Sequence, residues 1–153
     1  PKTNLALKQT TWPGRVHQLG QGKIINYREN ITILDGAHNE DSAYVLDQYL
    51  HKKSLGKWNL IIGMLRNRNV KDFVNIFKNH INKVFAVSIP EIENSYSPDQ
   101  IITKLKKSGL QVHPCLQSKL YMYVESTDFL FLLFLFSFRC SQKSSLAFRK
   151  RTV

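Results

Sequence analysis

Two short strings hold the residues best suited to chemistry: Trp-Pro-Gly-Arg at positions 12–15 and Leu-Asp-Gly-Ala-His-Asn at positions 34–39. A guanidinium such as that of Arg15 can donate two parallel hydrogen bonds to phosphate oxygens. An acid at the end of a strand, such as Asp35, can accept hydrogen bonds from ribose hydroxyls. Gly36 permits a tight turn beside them. We therefore expect a nucleotide site in which Asp35 is accessible at the rim of a sheet, whereas Arg15 taken alone is by default a surface arginine after a Pro-Gly turn.

The elements around the second string are the ones such a site needs. Residues 31–34 are apolar and mostly β-branched, which predicts a buried strand that ends at Asp35. Asn39 can cap a helix that starts directly after it. Glu40 and Asp41 then fall in the first turn, where negative charge suits the helix dipole. A strand end and a helix start at one mouth place a carboxylate and unpaired backbone N–H groups against the same ligand.

The rest of the chain as far as residue 116 alternates strands with helices. Apolar runs predict strands over 58–63, 83–88 and 110–113, and apolar positions between 70 and 81 predict a second helix. Ser97, Pro98 and Gln100 form a capping box at the start of a third helix. Such alternation predicts an α/β fold with a mostly parallel sheet and helices on both faces. Runs at 23–27 and 31–34 predict an antiparallel hairpin at its N-terminal edge.

Length and composition indicate one soluble globular domain of 153 residues with a net charge of +11. Five of the cations lie in the acid-free segment 139–153, so the rest of the chain carries +6. That charge is consistent with a solvated lysine-rich surface or with a nucleic-acid-binding module. Two cysteines, Cys115 and Cys140, form no disulfide framework and suit a reducing, cytoplasmic compartment. The chain begins with Pro1, which suggests a piece of a longer protein.

The segment after residue 116 does not continue this pattern. Residues 129–138 are almost entirely Phe and Leu, with no helical or alternating period, and a basic tail follows. Three interpretations are open: a buried strand, a membrane-surface anchor over residues 129–151, or a sequence outside its proper reading frame. The abrupt change of composition favours the third. We therefore assign 1–11 to a linker, 12–116 to the domain and 117–153 to an atypical tail that is frameshifted or disordered.

The two strings, followed by an apolar strand that ends in Gly-Met-Leu at 63–65, resemble the C-terminal domain of folylpolyglutamate synthase and dihydrofolate synthase, in the Mur ligase superfamily. The resemblance spans about residues 8–116. It implies a Rossmann-like three-layer α/β/α domain of an ATP-dependent, ADP-forming ligase that joins L-glutamate to a folate or pteroate carboxylate through an acyl phosphate. It implies ATP and Mg²⁺ as cofactors. It also implies a monomer that needs neither nucleic acid nor membrane.

Carried over residue by residue, the resemblance implies that Arg15 reaches the ATP phosphates and that Asp35 accepts the ribose hydroxyls. Gly36 would let the backbone approach the nucleotide, and His38 and Asn39 would line the same mouth. No residue of this chain is implied as catalytic or as a metal ligand. The chain contains no Gly-x-x-Gly-Lys-Thr/Ser phosphate loop. We therefore expect the phosphate loop, the metal ligands and most of the folate pocket in an N-terminal domain outside this chain, which would be inactive alone.

One departure from the family pattern concerns the segment after the Gly-Met-Leu strand. Where the family carries an Asp-Lys-Asp-like stretch, this chain has Asn-Arg-Asn at 67–69. Amides in place of both acids remove any charged contact with a second domain that the acids would make.

Overall fold

The computed structural model describes residues 14–19, 31–53, 56–115 and 129–134. Within these ranges it contains three α-helices and six strands. The helices are α1 (Glu40–Lys53), α2 (Val70–Phe77) and α3 (Pro98–Leu105). The strands are β1 (His17–Leu19), β2 (Ile31–Asp35), β3 (Trp58–Gly63), β4 (Ile81–Ala86), β5 (Gln111–Pro114) and β6 (Phe129–Phe134).

The strands form one mostly parallel sheet in the order β1-β2-β6-β3-β4-β5. Only β1 runs antiparallel, and it pairs with β2 so that His17 lies opposite Leu34. The predicted α/β fold with an antiparallel N-terminal edge is therefore confirmed. The described edge strand is His17–Leu19, and the strand predicted over 23–27 lies outside the described residues. Because β2 is parallel to β6, which is parallel to β3, Asp35 lies at the edge where the carboxyl ends of the parallel strands meet.

Strand β6 lies inside the sheet, between β2 and β3, and is parallel to both. The assignment of all of residues 117–153 to a tail outside the domain is therefore wrong for residues 129–134. A strand flanked on both sides in a parallel sheet is an uninterrupted apolar run rather than an alternating one. The lack of period in this segment is the pattern of such a strand, so residues 129–134 fit the first of the three interpretations, a buried strand.

The helices pack over one face of the sheet. Their buried residues join alternate strand residues, Ile33, Leu60, Ile62, Val84 and Ala86, in a single hydrophobic cluster. Ile61 and Phe85 alternate with that set and are buried as well, at 0% and 4% exposure, so the opposite face of the sheet is also covered. The predicted helices on both faces of the sheet are therefore described for one face only.

The helix starts follow from local side-chain chemistry. Asn39 Oδ1 accepts a hydrogen bond from the Ser42 backbone N–H at 2.9 Å, which confirms Asn39 as the cap of α1. Ser97 and Gln100 form the predicted reciprocal capping box of α3. Asn69 caps α2 by accepting from the Asp72 N–H. One of the two amides that depart from the family pattern therefore has a structural task in this chain.

Helix α2 is shorter than the apolar pattern predicted. It ends at Phe77, a 3₁₀ turn covers Lys78–His80, and Ile81 is the first residue of β4. Ile81 is buried in the same cluster as the helix residues, so an apolar side chain at this position fits either element. No helix in the described ranges is long and apolar enough to span a bilayer.

Candidate functional site

Two loops meet at the carboxyl end of β2 and form the candidate site. The first is the turn at residues 14–16, directly before β1, and the second is the loop at 36–39 between β2 and α1. The Gly36 backbone N–H donates to the Gly14 carbonyl oxygen at 2.8 Å, and the Val16 N–H donates to Asp35 Oδ2 at 2.6 Å. These two hydrogen bonds hold Arg15 directly beside the end of β2.

The carboxylate of Asp35 is buried, with 6% of the residue exposed. Its Oδ2 accepts the Val16 N–H, and its Oδ1 accepts the Ala37 N–H, both at 2.6 Å. The expectation of an accessible carboxylate at the rim is therefore wrong. A buried carboxylate is tolerated where its oxygens accept hydrogen bonds, and here two backbone donors supply them. Asp35 joins the two loops across 19 residues of sequence.

The turn that carries Arg15 has an unusual backbone. Gly14 has φ +78°, and Val16 has φ +43°. Glycine adopts positive φ without steric cost, whereas a β-branched residue such as valine rarely does. The Val16 N–H bond to Asp35 and the packing of Val16 against the core offset that cost. Arg15 itself is exposed between these two fixed residues.

Gly36 lies in the second of these loops and contacts Gly14 in the first. A Cβ atom at this position would meet the Gly14 carbonyl oxygen at 3.5 Å, which is an ordinary van der Waals contact. The backbone conformation therefore does not require glycine here. What the absent side chain provides is free space at the lining of the site.

His38 is oriented by two hydrogen bonds. Its Nδ1 lies 2.9 Å from the Gly36 carbonyl oxygen, and its backbone N–H donates to Ser42 Oγ at 3.1 Å. A carbonyl oxygen only accepts, so we assign the proton to Nδ1, which leaves Nε2 of the neutral ring as an acceptor. The side chain of Asn39 has a structural role instead, because its Oδ1 accepts the Ser42 N–H and caps α1.

The two loops and the first two turns of α1 line an open cleft of about 450 Å³. This volume is within the range of small-molecule sites in proteins. All five residues predicted for the nucleotide site line it: Arg15, Asp35, Gly36, His38 and Asn39. The prediction missed the other lining residues, which are Val16, Ala37, Asp41, Ser42, Val45 and Leu46.

Two of the missed residues add an apolar surface and a negative charge to the lining of the cleft. Val45 is 61% exposed and supplies an apolar surface. Asp41 supplies an exposed carboxylate. The sequence contained a signal for Asp41, an acid two residues after Asn39, but that position was interpreted only as favourable to the helix dipole. Among the lining residues Arg15 is the one arginine or lysine, so an anionic group of a ligand would bind at that end.

The described residues contain no group of three or more His, Cys, Asp or Glu side chains suited to a metal ion. Cys115, which follows β5, is buried at 2% exposure, and that burial raises the pKa of its thiol. A thiol of this kind is a poor nucleophile at neutral pH. It takes no part in the cleft.

Comparison with known proteins identifies what the chain is similar to. A family model described as the C-terminal domain of dihydrofolate synthetase matches residues 21–105. No curated protein matches the chain in sequence.

Among solved structures, the bifunctional folylpolyglutamate synthase/dihydrofolate synthase of Yersinia pestis superposes with a TM-score of 0.66 at 17% identity, over 83% of this chain and 29% of its own. The folylpolyglutamate synthetase of Helicobacter pylori gives 0.63 at 21% identity, over 88% of this chain and 32% of its own. A bifunctional synthase with Mn, AMPPNP and L-glutamate bound gives 0.64 at 17% identity, over 81% and 29%. The chain thus spans about 30% of the length of each of these proteins.

Proposed function

This chain belongs to the family of dihydrofolate synthetase C-terminal domains, and on that premise we propose that it is the nucleotide-contacting domain of an ATP-dependent ligase. The complete enzyme would add L-glutamate to a folate or pteroate carboxylate. The observation that carries the proposal is the placement of Arg15 beside Asp35, at the edge of the parallel sheet, in one cleft with Gly36, His38 and Asn39. Ligands of open α/β sheets bind at this edge.

The reaction we propose has two steps, and neither needs a covalent bond to this chain. The folate or pteroate carboxylate attacks the γ-phosphorus of ATP, which forms an acyl phosphate and releases ADP. The glutamate amine then attacks the acyl carbon, which forms the amide and releases phosphate. In the first step Arg15 would donate hydrogen bonds to phosphoryl oxygens and stabilise the charge that shifts between them.

The ligands bound to a similar protein support this assignment. The bifunctional synthase that holds Mn, AMPPNP and L-glutamate has an ATP analogue, a divalent metal and the amino-acid substrate together. For this chain we propose ATP and Mg²⁺ in the same roles. Because no described group of residues suits a metal, we place the Mg²⁺ ligands in another part of the complete enzyme. There the ion would neutralise charge on the transferred phosphoryl group.

The proportions of the chain support a role as one part of a larger ligase. The structures it resembles are about three times as long, and the chain has no phosphate loop of its own. We therefore propose that an N-terminal domain supplies the phosphate loop and the folate pocket, and that the chain alone binds nucleotide without ligating. With only part of the site present, the dissociation constant for ATP would be about 1 mM, or about 4 kcal/mol of binding.

Calorimetric titration of the chain with ATP, with and without Mg²⁺, tests the proposal. Arg15→Ala should weaken binding by roughly tenfold, because it removes a charged donor to the phosphates. Lys106→Ala is the matched control, since Lys106 is an exposed cation just after α3 and outside the cleft. A folded chain that binds no adenine nucleotide, or equal losses in both variants, would contradict the proposed function.

A further inference from the structure

Most of the described lysines lie at the end of the sheet opposite the cleft. Because each helix connects two parallel strands, the carboxyl ends of the helices and the amino ends of the strands share one edge of the sheet, which we call the amino edge. Six exposed lysines lie at these helix ends, just before a strand or in the first half of one: Lys52, Lys57, Lys78, Lys83, Lys106 and Lys107.

Acids do not offset this charge. Every described acid except Asp47 lies at the opposite, carboxyl edge: in the first turn of a helix, at the end of β2, or in the loop between β4 and α3. Asp47 lies further along α1, and its Oδ1 is already 3.1 Å from His80 Nε2. Among the described residues, none of the six lysine ammonium groups has a hydrogen-bond or ion-pair partner. All six charges are therefore available to a ligand.

The helix dipoles do not account for the whole cluster. Each helix carries a partial charge of about −0.5 at its carboxyl end, so three helix ends and Asp47 leave roughly +3 to +4 on the amino edge. Lys57 and Lys83 lie outside any helix, so no dipole explains their position. Lys53 and Lys104 are not counted, since each ammonium group lies over a tyrosine ring, 5.6 and 5.0 Å from the ring centroid.

We propose that the amino edge binds the phosphate backbone of double-stranded nucleic acid, without sequence preference. Helix α1 packs beside α2, and α2 beside α3. Packed helices lie about 8–10 Å apart, so the three helix ends form a row about 20 Å wide. One strand of a duplex presents roughly six phosphates over that length, which matches the six lysines in number and span. This role adds a partner that the ligase resemblance did not imply, and it does not depend on the proposed function.

Other polyanionic partners fit the amino edge less well. Helices that lie on membranes combine cations with apolar side chains. The exposed large apolar residues of the described chain, Tyr44, Val45 and Ile92, lie instead in the first half of α1 and in the loop before α3. Protein interfaces are depleted in lysine. Single-stranded nucleic acid stacks its bases on open aromatic rings, whereas the half-buried ring of Tyr49 near the end of α1 already contacts the Lys53 ammonium group. A duplex backbone needs neither apolar surface nor open rings.

Fluorescence anisotropy of the whole chain with a labelled DNA duplex of mixed sequence tests the proposal. The logarithm of the association constant should fall with the logarithm of salt concentration with a slope of about −4 to −6, as for roughly five to seven neutralised phosphates. Lys52→Gln combined with Lys57→Gln should weaken binding by roughly tenfold and reduce the steepness of that slope by about 2.

The matched control is Arg66→Gln combined with Lys71→Gln, which removes two exposed cations from the carboxyl edge. This control should change the affinity by less than about twofold and leave the slope unchanged. The basic segment 139–153 is present in every variant, so its contribution cancels in the comparison.

Equal losses in the two double variants would overturn the inference, because the binding would then follow total charge rather than the amino edge. A folded chain that does not bind the duplex at about 50 mM salt would overturn it as well. So would tighter binding, at matched salt, to the single strand or to vesicles of anionic lipid.

AMPPNP should not compete with the duplex, and Arg15→Ala should bind the duplex as wild type does, because the cleft lies at the other edge of the sheet. Competition would place the duplex in the cleft and overturn the inference. Failure of the proposed ligase function would leave all of these duplex measurements unchanged, so the two statements are tested separately.

Discussion

Gly36 donates its backbone N–H to the carbonyl oxygen of Gly14 at 2.8 Å, and this contact closes one side of the cleft without any side chain. The two glycines differ in what they require. Gly14 needs its positive φ, whereas Gly36 has room for a methyl group against its partner.

Gly36→Ala should therefore separate stability from binding. We expect a free energy of unfolding unchanged or raised by about 0.4–1 kcal/mol, because alanine restricts the unfolded chain. Nucleotide affinity should fall, since the new methyl group lies at the lining of the cleft. Denaturant unfolding and calorimetric titration measure the two effects.

Gly63→Ala is the control for that substitution. A Cβ at position 63 would lie 3.1 Å from Ile89 Cγ1 and 3.3 Å from the Val87 carbonyl oxygen, so the surrounding core must shift. We expect a destabilisation of about 1–3 kcal/mol, as for overpacked cores. Equal stability losses at positions 36 and 63 would contradict the described geometry of the Gly36 turn.

Asn39 should stabilise the folded chain as the cap of α1, whether or not a ligand is bound. Asn39→Ala removes the acceptor for the Ser42 N–H and should lower stability by about 1 kcal/mol. Asn39→Ser keeps an acceptor at this position and should restore most of that loss. Thermal unfolding of both variants decides the point, and a serine variant as unstable as the alanine variant would contradict the capping role.

Strand β6 should be necessary for the sheet. A chain that ends at residue 116 lacks the strand that joins β2 to β3, so both would lose their parallel partner. Leu132→Pro removes a backbone donor from the same central strand and should be severely destabilising, whereas Leu132→Val keeps that donor and should cost much less. Circular dichroism and hydrogen exchange report the outcome, and a fully folded chain ending at 116 would contradict the topology.

The buried thiol of Cys115 should make the free energy of unfolding fall as the pH becomes alkaline. Burial raises the pKa of its thiol in the folded state, so the unfolded state loses this proton first as the pH rises. The contribution of the protonated thiol to the free energy of unfolding is complete below the ordinary pKa of a thiol. It is lost as the pH rises through the raised pKa of the folded state. In a Cys140→Ser background, we expect slow alkylation of Cys115 at neutral pH and a fall in stability at alkaline pH that Cys115→Ala lacks. Rapid alkylation of the folded chain at pH 7 would contradict the burial.

Local chemistry explains what could be predicted from the sequence. The strand that ends at Asp35, the cap at Asn39 and the capping box of Ser97 with Gln100 each depend on neighbours within a few residues. Four of the five predicted site residues, from Asp35 to Asn39, share one cleft because a strand end and the helix start that follows it must lie side by side. Arg15 joins them through hydrogen bonds across 19 or more residues, and only the family resemblance pointed to it.

Long-range contacts explain what could not be predicted. Nothing near position 35 in the sequence shows that the amide of Val16 will cover the carboxylate, so the sequence predicted an open acid. The insertion of β6 between β2 and β3 depends on pairing across roughly 70 to 100 residues, which no local period records. Asp41 was assigned to the helix dipole because its position on the lining follows from the tertiary fold.

The most direct test of the central claim is to map nucleotide binding on the labelled chain by NMR. If the cleft beside Arg15 binds the nucleotide, AMPPNP should shift the backbone resonances of residues 14–16 and 36–42 and leave those of α3 unchanged. Arg15→Ala should abolish the shifts at the same nucleotide concentration. Shifts confined to residues outside the cleft, or an identical response in Arg15→Ala, would contradict the account.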